Sequence, residues 1–277
     1  MKITVLADNR KFDDTLESEH GLCIYLETEN YKCLLDTGAS DVFITNAEKL
    51  GIDLNEVDFV FISHGHADHI GGLPEFLTVN VKAKIVLSEN AINQSFFSTR
   101  NGLHPINIDF DFSPYTERFV FVDSEMVIRD EIRVFSATEN KYPLPKANAA
   151  LFKQRGNGLL SDDFNHELVI SFGTDNLFVY TGCAHRGLLN ILSSILLSPT
   201  KKIGTVMGGF HLSDSNATQK FETEAEIENI GSELKKIYPD TLFITGHCSG
   251  ENAFKLLKTK LGEHIDLFYT GIHRLFN

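Results

Sequence analysis

The chain has 277 residues and a formal net charge of −13 at neutral pH, and 42% of its residues are hydrophobic. These proportions are typical of a globular protein and exclude a largely disordered chain. A surface this acidic repels nucleic acid and anionic lipid, so we expect neither a nucleic-acid partner nor a membrane partner.

The four cysteines indicate thiols rather than a disulfide framework. They form no Cys-x-x-Cys pair, and a chain of this length does not need disulfides to stabilise its core. The apolar run at the N-terminus is too short for a signal peptide, and no segment approaches the ~18–20 apolar residues that span a bilayer. We therefore expect a cytoplasmic protein, with Cys23 and Cys33 as buried thiols.

The first part of the chain predicts short strands that lead into glycine-containing turns. Leu22–Leu26 and Tyr31–Leu35 predict a hairpin. A helix is predicted over Val42–Leu50, with Gly51 as its C-cap. Val57–Ile62 then predicts a buried strand that runs directly into a histidine-rich segment.

The middle of the chain is less regular. Ala83–Leu87 predicts one more strand, and alternation within Phe119–Phe135 predicts two strands paired around Asp123–Glu125. Residues 137–166 contain two prolines with strong turn signals and little periodicity. A linker and a substrate-covering loop are both compatible with this stretch, and the strands on either side of it favour the loop.

Strands and helices alternate in the second half, over Leu177–Tyr180, Leu188–Leu197, Ile203–Met207, Leu242–Ile244 and Asn252–Leu261. The three strands lead into glycine-containing turns that carry His185, His211 and His247. In open α/β sheets, ligands collect at such strand ends. The acidic stretch Glu222–Glu228 is predicted to be the solvated face of a helix.

The strongest chemical signal is the segment His64-x-His66-x-Asp68-His69. Neutral imidazole and carboxylate both bind zinc, at about 2.0–2.2 Å. Directly after a strand, residues two apart point the same way, so His64 and His66 can hold one metal. Asp68 and His69 lie beyond the bend and can face a second metal, and Gly65 is expected to permit the tight turn.

The segment Ser63–Leu73 resembles the metal signature of the metallo-β-lactamase superfamily, and Leu34–Gly38 is similar to its upstream strand-ending aspartate. Four further elements are similar to the branch that resembles 7,8-dihydropterin-6-methyl-4-(ribofuranosyl)aminobenzene-phosphate synthase, namely His20–Leu22, Thr181–Gly187, Gly208–Leu212 and Gly246–Gly250. The resemblance implies an α/β fold, a four-layer αβ/βα sandwich, formed by residues 1–277 as a single domain.

The resemblance also implies further metal ligands, because a two-metal site in this fold needs two more histidines and usually a bridging carboxylate. His185 and His247 are the preferred histidines. Cys183 lies where many relatives carry aspartate, so it either replaces that aspartate as a thiolate or simply lines the site. The implied metal ligands are His64, His66, Asp68, His69, Cys183, His185 and His247.

The implied cofactor is zinc, as two ions, although the cysteine leaves a single ion as an alternative. Di-iron relatives carry glutamate at the position of His66, so this histidine favours zinc. Iron or manganese is compatible with the same ligand types.

The predicted reaction is hydrolysis of an ester, phosphoester or related bond in a small-molecule substrate, including anionic ones, by metal-activated water. Asp68 is expected to orient the hydroxide and His211 to stabilise the developing negative charge. The alternative for His211 is a core histidine bonded to a backbone carbonyl.

Two other functions remain open. One is a synthase or transferase acting on a phosphoribosyl-pterin-type compound, with Arg186 holding a phosphate. The other is a metal-stabilised binding protein. The sequence does not indicate which oligomeric state the protein adopts.

The other polar candidates have supporting or surface positions. Asp36 is expected to hold the second nitrogen of a metal-binding histidine, since ligating imidazoles usually need such a partner. His20 is either a partner of the site or unrelated to it, and His166 is either a ligand or the residue before a strand. The histidines expected at the surface are His104, His264 and His273.

Overall fold

The structure, a computed structural model, describes residues 1–195 and 201–276 and consists of mixed strands and helices. Its strands are β1 (Lys2–Ala7), β2 (Cys23–Glu27), β3 (Lys32–Leu35), β4 (Phe59–Phe61), β5 (Lys84–Leu87), β6 (Phe96–Ser98), β7 (His104–Pro105), β8 (Phe119–Phe121), β9 (Glu125–Arg129), β10 (Ile132–Phe135), β11 (Leu151–Arg155), β12 (Gly158–Ser161), β13 (Val169–Phe172), β14 (Asn176–Tyr180), β15 (Lys202–Gly208), β16 (Leu242–Thr245), β17 (Ile265–Leu267) and β18 (His273–Leu275). Its helices are α1 (Val42–Lys49), α2 (Ala67–Ile70), α3 (Leu73–Val79), α4 (Asn90–Asn93), α5 (Leu188–Ser193), α6 (Glu224–Ile237) and α7 (Glu251–Leu261).

The chain divides into two compact units, each of which has its own sheet and core. Unit 1 comprises Met1–Asp123, Phe152–His166 and the chain from Phe268 onward, and unit 2 comprises Ser124–Leu151 and the described part of Glu167–Leu267. The single domain expected from the sequence stays a prediction. Within the described ranges, no helix has both the length and the apolar character needed to cross a membrane.

The main sheet of unit 1 has the strand order β18-β1-β2-β3-β4-β5-β8. Strands β18, β1, β2 and β3 pair antiparallel, whereas β3, β4, β5 and β8 pair in parallel. The antiparallel pair β2–β3 confirms the predicted hairpin. A smaller sheet has the order β12-β11-β6-β7.

The core of unit 1 lies between its parallel strands and its helices. Phe43 from α1 and Phe76 from α3 are fully buried there with Ile62 and Leu87. Each such side chain contributes about 1.5–3 kcal/mol when it leaves water. Helix α1 ends as predicted, because Gly51 follows it at φ 70°, a conformation that favours glycine.

The sheet of unit 2 has the strand order β17-β16-β15-β14-β13-β10-β9. Strands β14 to β17 pair in parallel, and β13, β10 and β9 continue the sheet antiparallel. Helix α6 begins with a capping box between Thr223 and Glu226. It packs closely against α7 at Gly231, where an added Cβ would lie only 3.0 Å from the Cβ of Lys260.

One prediction about the middle of the chain was wrong. Phe119–Phe135 does not form two strands paired around Asp123–Glu125: β8 pairs with β5, and the hairpin is β9–β10, turning at Asp130 and Glu131. Alternation identified strands here but could not identify their partners. Residues 137–166 contain the antiparallel hairpin β11–β12, and their role as a substrate-covering loop stays a prediction.

The helices predicted in the second half are present. The predicted helix Asn252–Leu261 corresponds to α7. The prediction over Leu188–Leu197 corresponds to α5, which ends at Ser193, and positions 196 and 197 of that prediction lie outside the described residues.

Candidate metal centre

The histidine-rich loop of unit 1 follows the carboxyl end of the parallel strand β4. His64 and His69 are fully buried and His66 nearly so, while the side chain of Asp68 retains 22% exposure. Ligand atoms of His64, Asp68 and His69 all lie within 4.8 Å of one another. The ring centroids of His64 and His66 are 4.7 Å apart. The four residues of the signature therefore lie together in this loop.

Asp36, at the end of β3, orients two of these rings. Its Oδ1 accepts a hydrogen bond from the Ser63 backbone N–H (2.6 Å), and its Oδ2 accepts one from the Ser63 hydroxyl (2.7 Å). Asp36 Oδ2 also lies 2.6 Å from Nδ1 of His69. This is the contact with a loop histidine that the sequence predicted for Asp36.

The same network sets the tautomers of the two histidines. The Ser63 hydroxyl gives its single hydrogen to Asp36, so it accepts at 2.9 Å from Nδ1–H of His64. Because a carboxylate only accepts, Nδ1 of His69 also carries its proton. In the neutral rings, Nε2 is then the unprotonated nitrogen and the one able to ligate a metal.

A second carboxylate, Asp162, directly follows β12 and supports the loop. Its Oδ2 lies 3.1 Å from Nε2 of His166 and 3.5 Å from Nε2 of His66. Nδ1 of His166 accepts a hydrogen bond from the Gly65 backbone N–H at 3.0 Å. Both ring nitrogens of His166 therefore serve protein contacts, which identifies it as a support of the loop rather than a metal ligand.

Burial keeps the imidazoles of His64 and His166 neutral by lowering their pKa values. It lowers the pKa of His64 well below the usual value, and the neighbouring His69 and His66 lower it further. Burial also lowers the pKa of His166. Burial would raise the pKa of Asp162, but the hydrogen bonds from His166 and His66 outweigh it and hold the pKa below the usual range. The centre thus combines neutral imidazoles with an ionised supporting carboxylate.

Gly65 is required for a reason other than the predicted one. It does not have a positive φ, so the tight turn does not depend on glycine. An added Cβ would instead lie 2.4 Å from the carbonyl oxygen of Ala91 and 2.7 Å from the ring of Phe96. Close packing against these two residues excludes any side chain at this position.

His20 contacts the centre from its exposed side. Its Nε2 lies 3.5 Å from Oδ2 of Asp68, and its side chain is 70% exposed. Of the two alternatives for His20, this contact supports a partner of the site. The histidines expected at the surface, His104, His264 and His273, are exposed.

In unit 2, the turns after β14, β15 and β16 carry the remaining candidates. Cys183, His185, His211 and His247 are all buried. Ala184, His211 and His247 have φ values of 57°, 52° and 52°, in the left-handed region that residues other than glycine seldom adopt. Such strain is typical of functional turns.

Glu167 and Asn148 hold His185 in place. The two oxygens of Glu167 accept the backbone N–H groups of His185 (2.6 Å) and Arg186 (2.9 Å). The Asn148 amide N–H donates to the carbonyl of His185 at 2.8 Å, so its Oδ1, 3.1 Å from Nδ1, accepts from that ring nitrogen. Nε2 of His185 is again the nitrogen able to ligate.

A thiol that the sequence analysis did not assign to the site, Cys248, joins this group. Ligand atoms of Cys183, His211 and Cys248 lie within 4.8 Å of one another, and the rings of His185 and His211 are 4.2 Å apart. Burial would raise the pKa of Cys248, but hydrogen bonds with Cys183 and His211 and the nearby charge of His247 hold the pKa well below its usual value. The position of Cys248 next to His247 was the signal that could have found it.

The acidic stretch Glu222–Glu228 is only partly the solvated face predicted from the sequence. Glu222 precedes α6, and its Oε1 accepts the backbone N–H of Lys146 at 2.6 Å. Glu226 forms an ion pair with the Lys146 ammonium at 2.6 Å. These two residues therefore fasten the segment before β11 to unit 2.

Comparison with known proteins identifies the fold. The profile of the metallo-β-lactamase superfamily matches residues 18–127. The crystal structure of a metal-dependent hydrolase of the β-lactamase superfamily is 30% identical, covers 100% of this chain and 99% of its own, and superimposes with a TM-score of 0.81. The predicted α/β class of the metallo-β-lactamase type is confirmed.

Two further relatives have different activities in their names. The 7,8-dihydropterin-6-methyl-4-(β-D-ribofuranosyl)-aminobenzene-5'-phosphate synthase of Methanocaldococcus jannaschii is 25% identical over 98% of this chain and 95% of its own length. A metal-dependent hydrolase of Staphylococcus carnosus is 28% identical over 50% of this chain and 61% of its own. With the glycine and histidine turns at the strand ends and full-length similarity to a solved member, this chain belongs to the metallo-β-lactamase superfamily.

Proposed function

We propose that this protein is a metal-dependent hydrolase that cleaves an ester, phosphoester or related bond in a small molecule. One observation carries the proposal: in the loop of unit 1, each imidazole has an oxygen partner near one ring nitrogen. Ser63 and Asp36 form hydrogen bonds with His64 and His69, and Asp162 lies 3.5 Å from Nε2 of His66. Ligating histidines characteristically have such partners, and a merely polar loop does not need them.

The residues fit a divalent transition metal. The buried imidazoles of the loop, with the tautomers of His64 and His69 set by hydrogen bonds, lie close to the carboxylate of Asp68 and form the nitrogen and oxygen donor set that zinc prefers. When bound, such a metal polarises a carbonyl or phosphoryl oxygen and lowers the pKa of water towards about 7. The superfamily relatives named as metal-dependent hydrolases support this assignment.

We propose zinc, as two ions, as the cofactor. The ligands that the family resemblance assigns are His64, His66, Asp68, His69, Cys183, His185 and His247. The tautomer of His185, fixed by Asn148, supports its role as a ligand. Cys248, beside Cys183, is an additional thiol donor for which the resemblance gives no role.

The chain's own groups would handle the charges and protons of the reaction. The Asp68 carboxylate accepts a hydrogen bond from the attacking water and so orients it. His20, 3.5 Å from Asp68 and largely exposed, links that carboxylate to solvent. His211 donates a hydrogen bond to the oxygen on which negative charge develops.

The test combines metal analysis with hydrolysis. The purified protein is assayed with bis(4-nitrophenyl) phosphate, 4-nitrophenyl phosphate and 4-nitrophenyl acetate, before and after treatment with a chelator. We expect turnover of at least one ester, its loss on chelation and its recovery on adding zinc. His64→Ala is expected to lose bound zinc and activity, whereas the exposed-histidine variant His104→Ala retains both.

Two results would reject the proposal. One is a wild-type protein that remains free of metal when zinc is supplied in excess. The other is turnover that persists unchanged after complete removal of the metal, since the proposed reaction needs the metal at the loop.

The second candidate function is a synthase acting on a phosphoribosyl compound. The observation in its favour is similarity to the Methanocaldococcus jannaschii synthase over 98% of this chain. The backbone N–H of Arg186 is already bonded to Glu167, so a phosphate would have to bind the Arg186 side chain. Incubation with a phosphoribosyl donor and an aromatic acid, followed by mass analysis for a joined product, separates this candidate from hydrolysis.

A further inference from the structure

Two hydroxyl side chains at the end of β16 contact the end of the neighbouring strand β15. The two strands are parallel, and Gly208 lies opposite Thr245 at their carboxyl ends. The hydroxyl of Thr245 lies 3.0 Å from the carbonyl oxygen of Gly208 and 2.6 Å from the hydroxyl of Ser249. The oxygen of Ser249 accepts the backbone N–H of Phe210 at 2.9 Å. The proposed function gives neither hydroxyl a role.

One arrangement of the hydrogens satisfies all three contacts. The carbonyl of Gly208 only accepts, so the Thr245 hydroxyl gives its single hydrogen to that oxygen. Thr245 then accepts from the hydroxyl of Ser249, whose oxygen accepts from Phe210. The hydrogen bonds therefore run in one direction, from the backbone of Phe210 through both hydroxyls to the backbone of Gly208. We call this series the hydroxyl chain.

The hydroxyl chain fixes the backbone before His211, and a further hydrogen bond fixes the backbone after it. The carbonyl of Leu212 accepts the backbone N–H of Gly250 at 2.9 Å. Ser249 and Gly250 are consecutive, so one short stretch holds both neighbours of His211. His211 itself has a φ of 52°, a conformation that a residue other than glycine keeps only where its surroundings enforce it. The hydroxyl chain is part of that enforcement.

The position of His211 matters because of the role proposed for it. A donor that stabilises developing charge is effective when it is already in place as the charge appears. The side chain of His211 is buried, and its location follows from the backbone that carries it. Loss of a contact that fixes this backbone would therefore displace the donor.

We propose that Thr245 and Ser249 are positioning residues of the hydrolytic reaction. Their hydroxyl chain holds His211 in the left-handed conformation that presents its ring to the substrate oxygen. The proposal rests on the hydrolase function, because it concerns the residue to which that function assigns charge stabilisation. Both hydroxyls act through His211 and not on the substrate.

The test compares variants of two threonines on the same strand pair. Thr245→Val removes the hydroxyl from the chain and keeps a branched side chain, whereas Thr245→Ser keeps the hydroxyl. The matched control is Thr241→Val. Thr241 is buried at the opposite end of β16, and its hydroxyl donates to the carbonyl of Ile203 on β15 at 2.6 Å. The control thus loses the same kind of hydrogen bond without touching the turn of His211. Ser249→Ala, at a half-buried position, interrupts the hydroxyl chain if Thr245→Val does not fold.

The first measurement needs no turnover. NMR spectra of protein with isotope-labelled histidine, metal-free and zinc-treated, record the ring of His211, which is identified by the signals missing in His211→Ala. We expect Thr245→Val and Ser249→Ala to shift or broaden these ring signals, whereas Thr245→Ser and Thr241→Val leave them in place. The ring signals of the exposed His104 should be the same in every variant, which shows that the change is local.

The second measurement is the hydrolysis of the ester that the hydrolase assay identifies. His211→Ala is expected to lower kcat by about 10²–10³-fold, as loss of one oxyanion donor does. Thr245→Val should lower kcat by about 10–100-fold with KM nearly unchanged, because a misplaced donor fails only as the charge develops. Thr245→Ser should recover most of this loss. In the double variant, Thr245→Val should cause no loss beyond that of His211→Ala, because the hydroxyl acts through that ring.

Zinc content separates positioning of His211 from support of the proposed ligand His247. The backbone N–H of Ser249 donates to the carbonyl of Gly246 at 2.9 Å, and this contact within the His247 turn does not use the Thr245 hydroxyl. Thr245→Val is therefore expected to bind as much zinc as the unchanged protein.

Several results would overturn the proposal. They are unchanged His211 signals in both Thr245→Val and Ser249→Ala, equal effects of Thr245→Val and the Thr241→Val control, additive losses of kcat in the double variant, and a lower zinc content in Thr245→Val. If the His211 signals respond as expected but the unchanged protein hydrolyses no ester, the hydroxyl chain does position His211 and the hydrolase function is wrong.

Discussion

Replacing Asp36 by asparagine tests whether metal binding depends on the tautomers described for the loop of unit 1. Asp36 accepts three hydrogen bonds, from the Ser63 backbone, the Ser63 hydroxyl and Nδ1 of His69. An amide offers one acceptor oxygen and one donor group in place of two acceptors. If the amide oxygen keeps the hydrogen bond from the Ser63 backbone N–H, the amide NH₂ takes the place of Oδ2 and faces Nδ1 of His69. Nδ1 must then accept a hydrogen bond, so the ring proton moves to Nε2, the nitrogen assigned to the metal.

The size of the effect follows from that proton. Loss of a partner that orients a ligating histidine typically costs 10–100-fold in metal affinity, or about 1.4–2.7 kcal/mol. The assay is a zinc titration of the metal-free variant against a chromogenic chelator at neutral pH. Asp14→Asn, at a fully exposed carboxylate, is the matched control and should bind zinc as tightly as the unchanged protein.

Folding must be measured separately, because the same carboxylate stabilises the metal-free chain. Hydrogen bonds to a charged group contribute about 1.5–3 kcal/mol each, so urea denaturation of the variant without metal should show a lower free energy of unfolding. A folded Asp36→Asn variant that binds zinc as tightly as the Asp14→Asn control would refute the reasoning about ring orientation.

Three other predictions concern the supports of the site. Asp162→Asn should weaken zinc binding about tenfold and lower the free energy of unfolding by about 1–3 kcal/mol, because His166 and His66 lose a charged acceptor. Zinc titration measures the first effect and urea denaturation the second. An unchanged zinc affinity would exclude the support role of Asp162. Gly65→Ala should lower the free energy of unfolding of the metal-free protein by about 1–3 kcal/mol, and with it the thermal midpoint, since the methyl group meets the Ala91 carbonyl oxygen at 2.4 Å. A midpoint equal to that of the unchanged protein would contradict the packing argument. The hydrogen bond from Lys146 lowers the pKa of Glu226 to about 2, so the ion pair stabilises the fold above the unfolded pKa of about 4.3 and this stabilisation is lost as the pH falls towards 2. The free energy of unfolding, measured across this range, should therefore depend less on pH in Glu226→Gln. An identical pH dependence in the variant and the unchanged protein would show that the ion pair contributes nothing.

Much of the site could be predicted because its residues belong to short local patterns. The segment from His64 to His69 follows a strand, and the side chains of strand ends in parallel sheets collect at one edge. His185, His211 and His247 follow the same rule on β14, β15 and β16. Local sequence is sufficient when a residue's position is fixed by the strand that precedes it.

Asp36 was predicted as a supporting residue from the family resemblance, but Asp162 and Asn148 could not be predicted, because their partners are distant in sequence. Asp162 contacts His66, and Asn148 holds His185, across long separations and from a stretch that predicted only an irregular loop. The partner of β8 was missed for a related reason: its alternation is compatible with any neighbouring strand. Such contacts are determined by tertiary packing, which periodicity does not encode.

The segment Tyr142–Asn148 is a short stretch through which the protein could be redesigned. Residues 142–146 line an apolar cavity of about 340 Å³ in unit 2, and Asn148, two residues further on, contacts the ring of His185. Grafting the whole run from a relative would exchange ligand preference and catalytic alignment together. A library that keeps Lys146 and Asn148 and varies only positions 143–145 should alter the ligand preference of the cavity while the ring of His185 keeps its orientation.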